Sequence, residues 1–203
     1  MQRLRGILVI ACGALAREIA ALKRLNAWDA LEVRCLPAEL HNRPERIAPS
    51  VETEIRAARE AGYAKIFVAY ADCGTAGALD AVIARQGIER LPGVHCYEFF
   101  AGASTFAELA DAEPGTFYLT DFLLRHFERL VIRGLGLDRH PELTQEYFRH
   151  YRKLVYLEQS APPGSVERAR GIAERFGWAF EHRVTGYGEL GRKLAQEVSA
   201  WQP

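Results

Sequence analysis

The chain has 203 residues, and its 26 basic and 26 acidic residues give a formal net charge of zero. A chain of this length buries roughly 70% of its surface on folding, so it needs no disulfide to build a core. Zero net charge argues against a nucleic-acid partner, which usually leaves a basic stripe, and no apolar run approaches the ~20 residues of a membrane helix.

The first half of the chain alternates short apolar runs with amphipathic stretches. Continuous apolar runs are typical of buried parallel strands, whereas apolar residues three or four positions apart indicate helices. The pattern predicts strands at 7–11, 31–36, 65–70 and 93–97. It predicts helices at 14–25, 50–61, 74–86 and 104–110.

The second half continues the same alternation. Strands are predicted at 116–119, 153–158 and 179–184, and helices at 121–132, 141–151, 165–176 and 189–201. Strands joined by crossover helices indicate parallel pairing with right-handed connections. We therefore predict an α/β fold: a doubly wound, mainly parallel sheet of about seven strands with helices on both faces. Similar units begin near Lys65 and Lys153 and suggest two related halves, but no linker is evident, so we predict a single domain over 1–203.

The cysteines fall at informative places. Cys12 follows the first predicted strand, Cys73 follows the third and Cys96 lies near the end of the fourth, while Cys35 lies inside the second and is predicted to be core. Ligands of open parallel sheets bind beyond the carboxyl ends of the strands. His41 lies on the loop leaving the second strand, so it should reach the same edge as the three thiols.

Three thiolates and an imidazole form a complete ligand set for zinc. We accordingly predict Cys12, Cys73, Cys96 and His41 as metal ligands, with His41 alternatively a general base and Glu18 an acid/base group. Three thiolates could instead hold an iron–sulfur cluster with one open iron. Buried cysteines are also common apolar fillers, and no Cys-x-x-Cys spacing is present, so a scaffold with structural cysteines stays an alternative.

Two thiols precede glycines at predicted strand–helix turns. Gly13 and Gly74 allow close approach of a ligand to the backbone, and a helix N-terminus near Thr75 could accept an anion, so these three residues are predicted to bind a cofactor. The dinucleotide-binding spacing and the lysine of a P-loop are both missing from this turn. A serine hydrolase is disfavoured because there is no Gly-x-Ser-x-Gly elbow.

Several segments together resemble a prokaryotic family classed as a domain of unknown function, number 1638. They are Cys12-Gly13-Ala14-Leu15 with Glu18, Leu40-His41-Asn42-Arg43-Pro44, Tyr70-Ala71-Asp72-Cys73-Gly74, His95-Cys96-Tyr97 and Gly115–Asp121. The resemblance carries no established reaction. It implies a link to corrinoid-dependent methyl transfer, because members often lie beside genes for that chemistry, and it makes a corrinoid protein a candidate partner.

Four hypotheses follow for the function. The first is a zinc–thiolate enzyme acting on a small molecule, with methyl or one-carbon transfer as its reaction. The second is a non-catalytic accessory protein that binds a metal, an iron–sulfur cluster or a corrinoid, and the third is metal-free chemistry of two cysteines, as in a racemase or isomerase. The fourth is the scaffold already described. The apolar run before Cys12 is too short for a signal peptide, which predicts a cytoplasmic protein with reduced thiols and leaves its oligomeric state open.

Overall fold

The computed structural model describes residues 5–200. The strands are β1 (Arg5–Cys12), β2 (Leu31–Leu36), β3 (Tyr63–Ala69), β4 (Glu89–Arg90), β5 (Thr116–Thr120), β6 (Lys153–Glu158) and β7 (Ala179–Val184). The helices are α1 (Ala16–Leu25), α2 (Ile47–Glu60), α3 (Ala78–Gln86), α4 (Cys96–Ala101), α5 (Ala103–Ala112), α6 (Asp121–Phe127), α7 (Leu143–Phe148), α8 (Ser165–Phe176) and α9 (Gly188–Ser199). Short 3-10 turns occupy Gly13–Leu15, Ala38–Asn42 and Pro44–Arg46, and a π-helical segment, Glu128–Arg133, continues α6. Within the described residues no helix has the length and apolar character needed to cross a bilayer.

The strands form two parallel sheets, with orders β2-β1-β3-β4 and β5-β6-β7. The α/β class and the parallel pairing are confirmed, and the described residues contain seven strands as predicted. The prediction of one continuous sheet is wrong. The edge strand β4 has only two residues, so it offers few backbone groups to a further strand, and the first sheet stops there.

The chain divides into two compact units. One comprises the described residues of Met1–Cys96 and Glu189–Pro203, and the other is Tyr97–Gly188. No stretch rich in glycine, proline or serine separates the two units, which is why the sequence pattern predicted a single domain.

In the first unit, β1 is the central strand of the buried sheet. Its residues Ile7 to Ala11 are all 0% exposed, as expected for a parallel strand covered on both faces. From β1 the chain passes through α1 to β2, which pairs on one side of β1. It then passes through α2 to β3, which pairs on the other side of β1. Right-handed crossovers in opposite directions place α1 and α2 on opposite faces of the sheet.

In the second unit, β6 is central and its side chains alternate between two clusters. Leu154 and Tyr156 face a core that includes residues of α6, α8 and the aromatic side chain of Trp178. Val155 and Leu157 face the opposite side, where Leu109 of α5 covers them. Both faces of this sheet are therefore covered, and every second residue of the strand points to each cluster.

The fourth strand is not where the sequence pattern predicted it. The pattern indicated 93–97, whereas β4 is Glu89–Arg90 and Cys96 is the first residue of α4. Pro92 has no N–H for a ladder, and Gly93 has a φ of +99°, which turns the chain out of the extended conformation. Cys96 is therefore a residue of a helix rather than of a strand end.

Candidate functional site

The candidate site lies where the order of the first sheet reverses, beyond the carboxyl ends of β1 and β3. Neighbouring strands at such a switch point send their following segments to opposite faces, which leaves a crevice between the two loops. Cys12 is the last residue of β1, and Cys73 lies four residues beyond the end of β3. We call Cys12, Glu18, His41, Tyr70, Cys73 and Cys96 the switch-point cluster; all six belong to the first unit.

Cys12 and His41 are neighbours at this edge. The Cys12 sulfur lies 3.9 Å from Nδ1 of His41 and accepts a hydrogen bond from the N–H of Ala14 at 3.3 Å. Nδ1 of His41 lies 2.9 Å from the carbonyl oxygen of Ala38. A carbonyl oxygen only accepts, so Nδ1 carries the proton and Nε2 is the basic nitrogen of the ring.

The loop that carries Cys73 is tightly folded and strained. Cys73 and Ala76 each have a φ of +51°, a left-handed conformation that costs about 1 kcal/mol or more for a residue with a side chain. The N–H of Cys73 donates to the carbonyl of Val94 at 2.9 Å, and that of Asp72 donates to Gly93 at 3.1 Å. These two bonds hold the segment before Cys96 against the Cys73 loop.

Cys96 is consequently close to the other thiols although it begins a helix. Its pKa is raised well above the usual value, first by burial and then by the proximity of Cys73, Cys12 and Glu18. Cys12 and Cys73 are buried, and Cys96 is half-buried. Cys12 and Cys73 therefore lie near enough to Cys96 to raise its pKa, and the buried carboxylate of Glu18, 4% exposed, adds a smaller increase.

Tyr70 adds a hydroxyl group to the cluster. The residue is 1% exposed, and its ring stacks with that of His41 at a centroid distance of 6.5 Å. Its hydroxyl lies near enough to the Cys12 thiol for each group to influence the other's pKa, but it makes no hydrogen bond of regular geometry within the described residues. Burying a hydroxyl without a regular hydrogen bond lowers the free energy of unfolding. The Tyr70 hydroxyl is directed toward the Cys12 thiol.

Burial keeps the thiols protonated. It raises the pKa of Cys12 to about 12, against the opposing N–H of Ala14, and raises the pKa of Cys73 to about 11. His41 is partly exposed, but the protein removes solvent from around its ring, and this desolvation lowers the pKa of the imidazole. Nearby His95 lowers that pKa further. The cluster is therefore uncharged at its sulfurs and at its imidazole near neutral pH.

Cys35 was predicted to be a core residue, and this is wrong. It is exposed on β2, which is an edge strand of the first sheet. Ala11 is its partner in the register, and the thiol lies close enough to Cys12 and Tyr70 to raise the pKa of both. Neither this proximity nor the role of Tyr70 could be read from periodicity, because both depend on the pairing of β1 with β2 and β3.

Gly13, Gly74 and Thr75 have structural tasks in the fold. A Cβ on Gly13 would lie 2.8 Å from the carbonyl oxygen of Leu36, so the glycine permits β1 and β2 to end side by side. In the next loop, Asp72 accepts hydrogen bonds from the Thr75 hydroxyl at 2.6 Å and from the N–H of Gly77 at 3.0 Å. The side chain of Asp72 thus occupies the place that an external anion would take.

The donors of the cluster suit a soft metal ion, but a metal site is not preformed. Three thiols and an imidazole are the ligands that zinc prefers, and a histidine whose second nitrogen donates to a carbonyl is typical of metal ligands. Across residues 5–200, however, no group of three or more histidine, cysteine, aspartate or glutamate side chains stands where it could hold a metal ion. Metal binding would therefore require side-chain rotation within the cluster.

Comparison with known proteins places this site within a family. The family model described as "Protein of unknown function (DUF1638)" matches residues 35–194. That span contains His41, Cys73 and Cys96, whereas Cys12 and Glu18 precede it. No curated protein matches the chain. Because the match covers far more than half of the 203 residues, the chain belongs to the DUF1638 family of proteins of unknown function.

Proposed function

We propose that the switch-point cluster binds a thiophilic metal ion, zinc in the first place, and that the protein is an enzyme that uses this centre on a small molecule. The observation that carries the proposal is the gathering of three thiols and an imidazole from four separate chain segments at the sheet's switch point. Such crevices are the usual ligand sites of open α/β sheets. Cys12, Cys73, Cys96 and His41 would be the ligands.

The protonation of the thiols disfavours metal-free thiol chemistry, which needs a standing thiolate. Burial raises the pKa of Cys12 to about 12, so this side chain is a neutral thiol at pH 7. Arg90 lowers the pKa of Cys73, but its guanidinium donates a hydrogen bond to Asp80, and the pKa of Cys73 is still raised overall by burial. A racemase-like pair of cysteines needs one thiolate and one thiol on opposite sides of a substrate. The raised pKa values of Cys12 and Cys73 disfavour such a thiolate.

The ion and the chain have separate tasks in the proposed site. A bound zinc ion lowers the pKa of a coordinating thiol and keeps the thiolate nucleophilic. The N–H of Ala14 orients the Cys12 sulfur, and the carbonyl of Ala38 keeps Nε2 of His41 available as a ligand. Glu18 is 4% exposed and raises the pKa of Cys96, and we propose it as the acid/base group of the site.

We include methyl or one-carbon transfer as the reaction class, with a corrinoid protein as the candidate partner. A thiolate held at a metal accepts alkyl groups readily, and the resemblance described from the sequence associates the family with corrinoid-dependent methyl transfer. The Tyr70 hydroxyl would orient the small-molecule substrate next to Cys12. The four free cysteines also fit a reducing compartment, so we propose the cytoplasm as the location.

The test is metal binding by the reduced protein. Protein purified both with and without oxygen is analysed for transition metals, and the metal-free form is titrated with zinc against a chromophoric chelator. We expect one zinc ion per chain and a loss of at least about tenfold in affinity for Cys12→Ser, Cys73→Ser and Cys96→Ser. Cys35→Ser is the matched control and should keep the affinity of the natural protein.

Two outcomes would contradict the proposal. Less than about a tenth of an equivalent of any transition metal in both preparations, with no zinc binding in the titration, would exclude a metal centre, since such sites bind tightly. Iron and sulfide in a coloured anaerobic preparation would instead establish the iron–sulfur alternative and exclude zinc as the resident metal.

A further inference from the structure

A second concave feature lies in the other unit, between α8 and α6 with its π-helical continuation. It is a cavity of about 490 Å³, within the size range of small-molecule sites. Its lining carries a strong positive charge in a chain that is neutral as a whole. The charged residues described in the lining are Arg125, Arg129, Arg133, Arg168, Arg175 and Glu128. Five positive side chains thus face one negative side chain, and we call this feature the arginine groove.

The arginines follow helical spacing on both walls. On the α6 side they recur at every fourth residue, from Arg125 to Arg133, and on α8 Arg168 and Arg175 are two turns apart. Like charges that lie close together on a helical surface repel one another. The groove therefore brings together charges that repel one another while no anion is bound.

Part of this charge is neutralised within the protein, and part is not. Glu128 pairs with Arg175 at 2.8 Å. No ion pair joins Arg125, Arg133 or Arg168 to an acidic side chain in the part of the chain that the structure describes. Arg125 is half-buried, whereas Arg133 and Arg168 are exposed. These three guanidinium groups are available to an incoming anion.

We propose that the arginine groove binds a small molecule that carries a polyphosphate chain. All five cations are arginines, whose planar forks match the oxygens of phosphate groups better than a lysine ammonium does. Arg168 and Arg175 lie two turns apart on α8, about 10 Å, so a single phosphate cannot reach both, whereas a chain of two or three phosphates can reach more of the arginines. The half-buried side chain of Ile172 in the lining would contact the uncharged part of the ligand.

The shape of the groove favours this ligand over a nucleic acid or an acidic protein. A nucleic acid needs a positive surface that extends along its backbone, and the chain's net charge of zero provides no wider basic field. The arginines instead line one cavity of limited volume. The site belongs to the unit that lacks the switch-point cluster, so it is independent of the proposed metal centre.

The experiment is calorimetric titration of the full chain with inorganic tripolyphosphate at low ionic strength, compared with orthophosphate, a single-stranded oligonucleotide and an acidic peptide. We expect one tripolyphosphate per chain, weaker binding of orthophosphate and loss of affinity as salt screens the charges. The variant Arg133→Gln/Arg168→Gln should bind about tenfold more weakly or worse, because charge-assisted hydrogen bonds are removed.

Matched controls keep this test specific. Arg139→Gln/Arg170→Gln removes the same charge from the same unit outside the groove and should bind tripolyphosphate like the natural protein. Circular dichroism and thermal melting establish that both variants fold. The proposal is overturned by absence of tripolyphosphate binding at about 1 mM, by equal loss in both variants, or by orthophosphate binding as tightly. Tighter binding of the oligonucleotide or the peptide would also overturn it in favour of a macromolecular partner.

Discussion

The Cys12 sulfur lies 3.9 Å from Nδ1 of His41, although 29 positions separate the two residues in the chain. The carbonyl of Ala38 accepts a hydrogen bond from the N–H at Nδ1. His41 therefore cannot remove the Cys12 proton through that nitrogen. The pair is therefore unlike the thiolate–imidazolium pair of a cysteine protease, in which the imidazole activates the sulfur. A cation bound to both groups would lower the pKa of the Cys12 thiol and so offset the effect of burial, which keeps the thiol neutral.

The cysteines should differ sharply in their reactivity toward an alkylating reagent. Thiolate is the reactive form, and burial raises the pKa of Cys12 and Cys73 to about 12 and about 11. Burial raises the pKa of Cys35 as well, but this side chain is exposed, so we expect one fast-reacting thiol per folded chain at pH 8 and three that react only after denaturation. Time-resolved alkylation with peptide mapping measures this, and Cys35→Ser should abolish the fast phase. Comparable rates at two or more cysteines in the folded protein would contradict the assignment.

Replacement of Tyr70 by phenylalanine should leave the protein as stable as before or stabilise it by up to about 1 kcal/mol. The hydroxyl is fully buried and lacks a regular hydrogen bond within the described residues, so its removal relieves a desolvation cost. Urea unfolding of Tyr70→Phe measures the change. A destabilisation of more than about 1 kcal/mol would mean that the hydroxyl has a structural partner and is not kept for a ligand.

Alanine at Gly13 should destabilise the protein by about 1–3 kcal/mol, because the added Cβ meets backbone that cannot rotate away. It would lie 2.8 Å from the carbonyl oxygen of Leu36 and 3.3 Å from the N–H nitrogen of Ala38. The matched control is Gly171→Ala in α8, where the Cβ has nothing within 4 Å. That change should stabilise the protein by about 0.5–1 kcal/mol. Equal stability of both variants in urea would show that the ends of β1 and β2 tolerate separation.

Glu197 should contribute stability that depends on pH. The carboxylate is 5% exposed and lies 2.8 Å from Lys65 and 3.2 Å from Lys193. Burial alone would raise its pKa, but the ion pairs with the two lysines outweigh burial and hold the pKa below its usual value. A lowered pKa in the folded state means that the contribution is present above the unfolded pKa and is lost as pH falls through the folded one.

We therefore expect Glu197→Gln to lower the free energy of unfolding by about 1–2 kcal/mol near pH 7, with the difference from the natural protein shrinking below about pH 4. Urea unfolding at a series of pH values measures it. Glu189→Gln, which removes an exposed pair with Arg192, should cost less than about 0.5 kcal/mol at every pH. A deficit for Glu197→Gln that stays constant down to pH 3 would show that packing and not charge is responsible.

Local signals predicted some elements to the residue. The bounds of β6, α8 and β7 agree with the sequence pattern, because Pro162-Pro163-Gly164 and Gly177 interrupt the chain between them. The fourth strand was misplaced because an apolar pattern around Val94 outweighed the proline and glycine that prevent a ladder there. Cys96 still reaches the other thiols, through hydrogen bonds between the Cys73 loop and residues 93–94.

The sequence by itself determined the α/β class, the parallel pairing expected of strands joined by helices, and the placement of Cys12 at the end of one strand and of Cys73 just beyond another. These properties depend on periodicity and turn residues within about ten to fifteen positions, so they can be read locally. Only the tertiary structure decided that the strands form two sheets, that Cys35 is exposed beside Cys12, and that arginines some 40 positions apart line one groove. Each of these depends on which strand or helix becomes the neighbour of another, and that choice is made by long-range packing rather than by any local pattern.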